Sequence, residues 1–384
     1  MLSLIGSTGS VGRQTLQVLE HLGQKPVALV AGRNVAKLEM QCRKYKPEIA
    51  VLADEDAARD LRVRLSDTSV RVYGGEQAVC EAAAHPDADI TLVASVGVVG
   101  LKPVLAAIGA VPRLALANKE SLVYAGRYVM EQAKKNRTEL LPVDSELSAI
   151  HQCQWARSNA DIRHITLTAS GGPFFGRTYE SLCSTTVEEA LKHPNWKMGN
   201  KITIDSATLL NKGYEVFETM YYFNKPVDDI SVVIHRESIV HSIVEFCDGA
   251  TLMHMAVPDM KLPIQYALTY PERQPSLLKK LDLTEKPLSF AKPDVEAFPC
   301  LALAYDAARR GGYAGAVLAA AGEIAVERFI AGELSFTDIA KNIEAAMEHV
   351  PDGDPSSIDE IMEVDADTRA YAQEAKIVTR KYYC

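Results

Sequence analysis

Leu2-Ser3-Leu4-Ile5-Gly6-Ser7-Thr8-Gly9-Ser10-Val11-Gly12 stands at the head of the chain. Four strand-forming residues run directly into glycines spaced G-x-x-G-x-x-G, and Arg13 to about Leu22 continues with helical spacing. In such a turn one glycine makes the bend, one lets backbone approach a pyrophosphate, and one lets helix close on strand. The free N–H groups at the start of the helix suit phosphate oxygens. The stretch reads as the first βα turn of a dinucleotide-binding sheet.

Working outward, further strand candidates are Val27–Ala31, Ile49–Leu52, Ile90–Ala94, Leu114–Ala117 and Leu140–Val143, most of them separated by helical patterns. This is a βαβ series, and it predicts an α/β fold with a Rossmann-like N-terminal domain over 1–143. An NAD enzyme usually carries an acid at the end of the second strand. Here the segment is Ala31-Gly32-Arg33-Asn34. Arg33 suits a 2′-phosphate, so NADP(H) is expected rather than NAD(H). The region 144–270 changes character, with strand candidates Ile165–Ala169, Ser231–Ile234, Ile239–Phe246 and Thr251–Ala256 and a hairpin signal at Asp248-Gly249. It reads as an α+β catalytic domain. Proline-rich 271–295 reads as a linker. Leu301, Ala304, Tyr305 and Ala308 begin a helical pattern, so 296–384 reads as a C-terminal helical bundle.

At 384 residues the chain exceeds one ordinary core, and 47% hydrophobic with 24% charged residues is a globular composition. A net charge of −9 argues against a nucleic-acid partner. Seven dispersed cysteines without a C-x-x-C pair are expected to be reduced thiols of a cytoplasmic protein. No basic n-region precedes the first strand, and no apolar run approaches membrane-spanning length, so neither a signal peptide nor a membrane span is expected.

Leu141-Pro142-Val143-Asp144-Ser145-Glu146 places two acids two residues apart at a strand end. On an extended segment their side chains share one side, where they repel unless a cation or a proton intervenes. A divalent metal is the expected answer. Ala117-Asn118-Lys119-Glu120-Ser121 ends another strand, and Ser170-Gly171-Gly172-Pro173 ends the strand Ile165–Ala169. His193-Pro194-Asn195-Trp196-Lys197-Met198-Gly199, Asp205-Ser206-Ala207-Thr208 and Asn211-Lys212-Gly213-Tyr214-Glu215 follow in a polar, turn-rich stretch. Serine hydroxyls, Asn211 and Lys212 could converge on a phosphate, with Glu215 as a third metal carboxylate.

In this order GSTGSVG, LANKES, PVDSE, SGGPF, HPNWKMG, DSAT and NKGYE closely resemble the 1-deoxy-D-xylulose 5-phosphate reductoisomerase family, from Gly6 to the C-terminal helices. The resemblance implies NADPH- and divalent-metal-dependent rearrangement and reduction of 1-deoxy-D-xylulose 5-phosphate to 2-C-methyl-D-erythritol 4-phosphate, in the non-mevalonate route to isoprenoids. It implies NADPH contacts by Thr8, Gly9, Ser10, Val11, Gly32, Arg33, Asn34, Asn118, Glu120 and Gly199. It implies Mg²⁺ or Mn²⁺ on Asp144, Glu146 and Glu215, with these acids and Lys119 catalytic. Lys119, Ser145, Glu146, Ser170, His193, Trp196, Ser206, Asn211, Lys212 and Glu215 are implied to contact the sugar phosphate. A mobile lid over about 171–199 and a homodimer are also implied.

Two departures stand out. Phe175 occupies a lid position where some relatives carry a basic residue, and Arg236-Glu237 replaces a common Pro-Gln. Two other readings remain open on the residues alone. An aspartate-semialdehyde dehydrogenase would need a nucleophilic cysteine with a histidine partner, and a non-catalytic NADP sensor would not need the acids.

Overall fold

The computed structural model describes residues 1–154, 159–196, 198–285 and 287–377. Lys197 of HPNWKMG and Cys384 lie outside the described residues. The chain divides into two compact units: Met1–Ser121, Arg127–Ser148 and Asp259–Lys280 form one, and Leu122–Gly126, Ala149–Pro258 and Leu281–Cys384 the other.

In the first unit, alternation of short apolar strands with amphipathic helices generates β1 (Leu2–Ile5), α1 (Ser10–His21), β2 (Pro26–Ala31), α2 (Val35–Tyr45), β3 (Ile49–Leu52), α3 (Glu55–Arg64), β4 (Arg71–Gly74), α4 (Glu76–Ala83), β5 (Ile90–Val93), α5 (Leu101–Ala107), β6 (Arg113–Leu116), α6 (Glu120–Asn136), β7 (Glu139–Pro142) and α7 (Ser145–Cys153). All seven strands are parallel, in the order β4-β3-β2-β1-β5-β6-β7. β1, β2 and β3 are buried along their whole length, which is why they read as continuous apolar runs rather than alternating ones. β4, whose alternating exposure lies at the sheet edge, is absent from the sequence-based strand set; Arg71, Tyr73 and Gly74 hide its pattern. The order reverses between β1 and β5, and ligands bind outside the strand ends at such a switch point. Gly6 leaves β1 there: a Cβ on it would meet the Ala94 carbonyl oxygen, just past β5, at 2.6 Å.

The second unit carries β8 (Ile162–Ala169), α8 (Tyr179–Leu182), α9 (Val187–Ala190), α10 (Asn200–Ala207), α11 (Leu210–Phe223), β9 (Ile230–Ile234), β10 (Val240–Phe246) and β11 (Thr251–Met255). Among the described residues these strands form a mixed sheet in the order β11-β10-β8-β9. β10 and β11 are an antiparallel hairpin whose turn contains Asp248 and Gly249, and β10 is also antiparallel to β8. β8 and β9 are parallel, so everything from Ser170 to Asp229 is one crossover between them. Both ends of that crossover leave side by side: Ala169 pairs with Ile234, and the His235 N–H donates to the Ala169 carbonyl at 2.7 Å.

α12 (Lys261–Thr269) belongs to the first unit and contributes Ile264, Ala267 and Leu268 to its core. α13 (Cys300–Arg310), α14 (Ala314–Ile330), α15 (Asp338–His349) and α16 (Ile358–Glu374) complete the second. α14 is apolar nearly all round and packs against the other three, as a central helix must. α16 falls within the expected helical region; its solvent face is acidic and only Ile361, Asp365, Thr368 and Ala372 are buried.

Cys42, Cys80, Cys153, Cys247 and Cys300 are free thiols. Among the described residues no helix is long and apolar enough to cross a membrane.

Candidate active site

The nucleotide half lies in the first unit. Gly9 precedes α1 and accepts the first helical hydrogen bond from Arg13 without a side-chain cap, so the α1 N–H groups remain available to an anion. Gly12 is where the helix closes on the turn: a Cβ there would lie 2.3 Å from the Gly6 carbonyl oxygen and 2.6 Å from Ser7 Cα. Nothing lies within 4 Å of a Cβ on Gly32. This cradle fits a dinucleotide. Arg33, at the end of β2, is 82% exposed and donates from Nη2 to Asp54 at 2.7 Å. Asp54 comes from the end of β3, where it also caps α3 by accepting from the Ala57 N–H. Asn34 caps α2. The acid missing from the β2 end is therefore supplied by the next strand, a placement that spacing along one strand does not reveal.

Asn118 is 1% exposed, and its side chain ties the loop after β5 to the start of α6. Nδ2 donates to the carbonyls of Ser95 and Gly97 and to Glu120, while Oδ1 accepts from the Ser121 N–H. Lys119, 7% exposed, donates to Asp144, and Ser145 donates to Glu146.

The geometry expected for Asp144 and Glu146 needs correction. β7 stops at Pro142 and α7 begins at Ser145. Asp144 is not extended strand but the residue whose carbonyl accepts the first bond of α7, from Ser148, and Glu146 lies in the first helical turn. A helix start attracts acids through its free N–H groups and dipole, and this overrides the strand continuation that the apolar run suggested.

The second unit gathers the phosphate-binding candidates. Ser170 follows β8, and its Oγ is 2.9 Å from His193 Nε2. His193 Nδ1 accepts the N–H groups of Trp196 at 3.0 Å and Asn195 at 3.2 Å. Burial, reinforced by the charge of Arg236, pushes its pKa down to about 4, so the ring is neutral with its proton on Nε2. Gly172 packs on the last turn of α10: a Cβ there would meet Ala207 Cα at 2.9 Å and the Ser206 carbonyl oxygen at 3.0 Å. Ser170 and Ser206 are thereby brought into one corner. Gly199 precedes α10, and its carbonyl accepts from Thr203. On α11, Glu215 is 1% exposed and accepts from Asn211 Nδ2 at 2.8 Å and from Lys212 Nζ. A buried carboxylate so held offers hard oxygen donors of the kind that Mg²⁺ and Mn²⁺ take.

Sequence reasoning missed Asp54 as a partner of Arg33. Its signal was an acid followed by an acidic first helical turn, the pattern of a helix cap. It noted Arg236 only as a departure, whereas the structure sets that side chain against the Ser170 turn.

A family model described as 1-deoxy-D-xylulose 5-phosphate reductoisomerase matches residues 2–126, and models of that enzyme's C-terminal domains match 140–223 and 255–371. The chain is 48% identical over 378 residues to the 1-deoxy-D-xylulose 5-phosphate reductoisomerase of Desulforamulus reducens, covering 97% of each. It is 44% identical over 375 residues to that of Ruminiclostridium cellulolyticum, covering 97% of this chain and 98% of the relative. Among solved structures, the Zymomonas mobilis enzyme in complex with NADPH matches with a TM-score of 0.91 at 39% identity, over 97% of each chain. A reductoisomerase complex with NADPH, fosmidomycin and magnesium matches with a TM-score of 0.92 at 38% identity, again over 97% of each chain.

Proposed function

We propose a role for each site residue from one premise: this chain belongs to the 1-deoxy-D-xylulose 5-phosphate reductoisomerase family. Its activity is the NADPH- and divalent-metal-dependent conversion of 1-deoxy-D-xylulose 5-phosphate to 2-C-methyl-D-erythritol 4-phosphate. The observation that carries the assignment of residues is the state of the acids. Asp144 is paired with Lys119, and Glu215 with Lys212 and Asn211, each partner coming from a family motif.

Thr8, Gly9, Ser10 and Val11 cradle the pyrophosphate of NADPH, with Gly32, Arg33 and Asn34 at the adenosine 2′-phosphate and Asn118, Glu120 and Gly199 as further contacts. Asp144, Glu146 and Glu215 hold Mg²⁺ or Mn²⁺. When bound, the cation stabilises charge on the ketone and adjacent hydroxyl oxygens, and NADPH supplies hydride to the branched aldehyde. Lys119 stabilises developing oxyanions and moves protons at Nζ. Ser145 orients Glu146 and contacts the substrate. Ser170, His193, Ser206, Asn211 and Lys212 hold the sugar phosphate, and Trp196 closes over it as the segment 171–199 excludes water.

In this reading 1–143 is the NADPH-binding domain and 144–270 the catalytic and metal-binding domain, except that α12 packs in the core of the first unit; 271–295 is a linker and 296–384 a helical domain. The same reading makes the enzyme a cytoplasmic homodimer that pairs through its middle domain. That pairing is supported by β11, a sheet edge with Leu252, Met253 and Met255 at 41%, 46% and 37% exposure.

Loss of reduced-nicotinamide absorbance with substrate and Mg²⁺, abolished when either is omitted, tests the assignment. Turnover unaffected by chelation would exclude the three-acid metal role.

A further inference from the structure

The parallel pairing of β8 with β9 sends two turns out side by side: Ser170-Gly171-Gly172 and His235-Arg236-Glu237-Ser238. The first takes an unusual path, with φ of +73° at Gly171 and +61° at Gly172. That path turns the carbonyls of Ser170 and Gly172 toward Arg236. A single guanidinium nitrogen, Nη1, donates to both, at 2.7 Å and 2.6 Å. The guanidinium carbon also sits 5.3 Å from the centroid of the Phe175 ring. On the other side, the Arg236 carbonyl accepts from Asn195 Nδ2 at 2.6 Å, and Ser238 Oγ accepts from the same nitrogen at 2.9 Å. Arg236 is thus bonded to both ends of the segment that runs from Ser170 to Trp196.

What those ends hold decides the consequence. His193 Nδ1 accepts two backbone N–H groups, so it carries no proton, and Nε2–H donates to Ser170 Oγ. Ser170 Oγ also accepts the Gly172 N–H at 3.2 Å. With its accepting capacity used, the Ser170 hydroxyl has only its proton to offer, and it is committed as a donor. A donor hydroxyl is what a phosphate oxygen requires.

We propose that Arg236 is a positioning residue for substrate: by bridging the Ser170 and Gly172 carbonyls and holding Asn195, it keeps the Ser170–His193 pair in the one arrangement that presents the serine proton to the substrate phosphate. The inference rests on the reading that Ser170 and His193 face that phosphate. Glu237, beside it, instead binds Ser289 through both its hydroxyl and its N–H, so the neighbouring departure serves a different contact.

The test uses Arg236→Met and Arg236→Lys in the full chain. In Arg236→Met, amide hydrogen exchange across 170–176 accelerates by roughly tenfold or more, as expected for losing charge-assisted bonds. The KM for 1-deoxy-D-xylulose 5-phosphate rises roughly tenfold while kcat and the KM for NADPH stay within about twofold. Because both bonds come from one nitrogen, Arg236→Lys restores KM to within about threefold of wild type. On a Ser170→Ala background, Arg236→Met adds less than about twofold to KM, because its effect runs through the serine. Unchanged exchange overturns the proposal, and so does full additivity with Ser170→Ala. Faster exchange with an unchanged substrate KM overturns the positioning role. If the wild-type chain fails to turn over the substrate, the assigned function falls instead, while the exchange comparison still decides whether Arg236 holds the turn.

Discussion

Gly9 and Gly12 belong to one motif, yet the structure gives them separable tasks. Gly12→Ala places a methyl 2.3 Å from the Gly6 carbonyl oxygen, 2.6 Å from Ser7 Cα and 2.7 Å from Ser7 C. An ordinary carbon–oxygen approach is about 3.3–3.6 Å, so α1 or the turn must move by roughly 1 Å. The obstructing atoms are backbone and cannot rotate aside, which places the cost near the upper end of overpacking, about 3 kcal/mol. At roughly 2–4 °C per kcal/mol for a unit of this size, the melting midpoint falls by about 6–12 °C. Gly9→Ala meets only the Gly6 carbonyl oxygen, at 3.3 Å, so the melting midpoint stays close to wild type. On the proposed reading its methyl stands where the pyrophosphate approaches α1. Losing one charge-assisted N–H bond weakens NADPH binding about tenfold. Differential scanning calorimetry and nucleotide fluorescence titration of both variants separate the effects. A Gly12→Ala protein that melts like wild type, or a Gly9→Ala protein that binds NADPH unchanged, would refute the division of roles.

Glu215→Gln keeps the size and hydrogen-bonding reach of the side chain but removes its charge. It should lower kcat by about 10²–10³-fold with NADPH affinity within twofold, and should weaken Mn²⁺ binding measured by electron paramagnetic resonance. A fully active variant would end the metal-ligand role. Arg33→Ala should weaken NADPH binding about tenfold and NADH binding far less, while Asp54→Asn, which keeps the α3 cap and frees Arg33, should tighten NADPH roughly twofold. Equal effects of Arg33→Ala on both nucleotides would remove the 2′-phosphate contact. His193 has a folded pKa near 4, below its ordinary value of 6.5. The neutral ring is therefore fully compatible with folding above about pH 6.5, and stability is lost as pH falls toward 4 because the unfolded chain takes up the proton more readily. Melting midpoints of wild type and His193→Asn should converge as pH drops through that window. Parallel pH curves would contradict the neutral-ring assignment.

Much of this was legible in one dimension because the signals are local. The Leu2–Ile5 strand, the glycine turn and the α1 periodicity involve neighbours in sequence, and burial on both faces makes the central strands conspicuous. The family motifs likewise mark Ser170, His193, Asn211, Lys212 and Glu215 by their order along the chain. β4 escaped because it lies at a sheet edge and carries no strong apolar pattern. Only the extended geometry expected for Asp144 and Glu146 failed, where two local preferences compete, an apolar run favouring strand and an acidic start favouring helix.

The sequence by itself determined which residue types are present and in what order: a glycine turn on a first strand, an arginine after the second, acids at a strand end, and hydroxyls with an amide and a lysine behind them. Only tertiary structure decided their partners. Asp54 reaches Arg33 from a different strand, Arg236 reaches Ser170 because β8 and β9 are parallel neighbours, and His193 is neutral because of what surrounds it. Hydrogen bonds and burial depend on distance in space. Between residues 21 or 66 positions apart, chain order carries no information about that distance until the fold has closed.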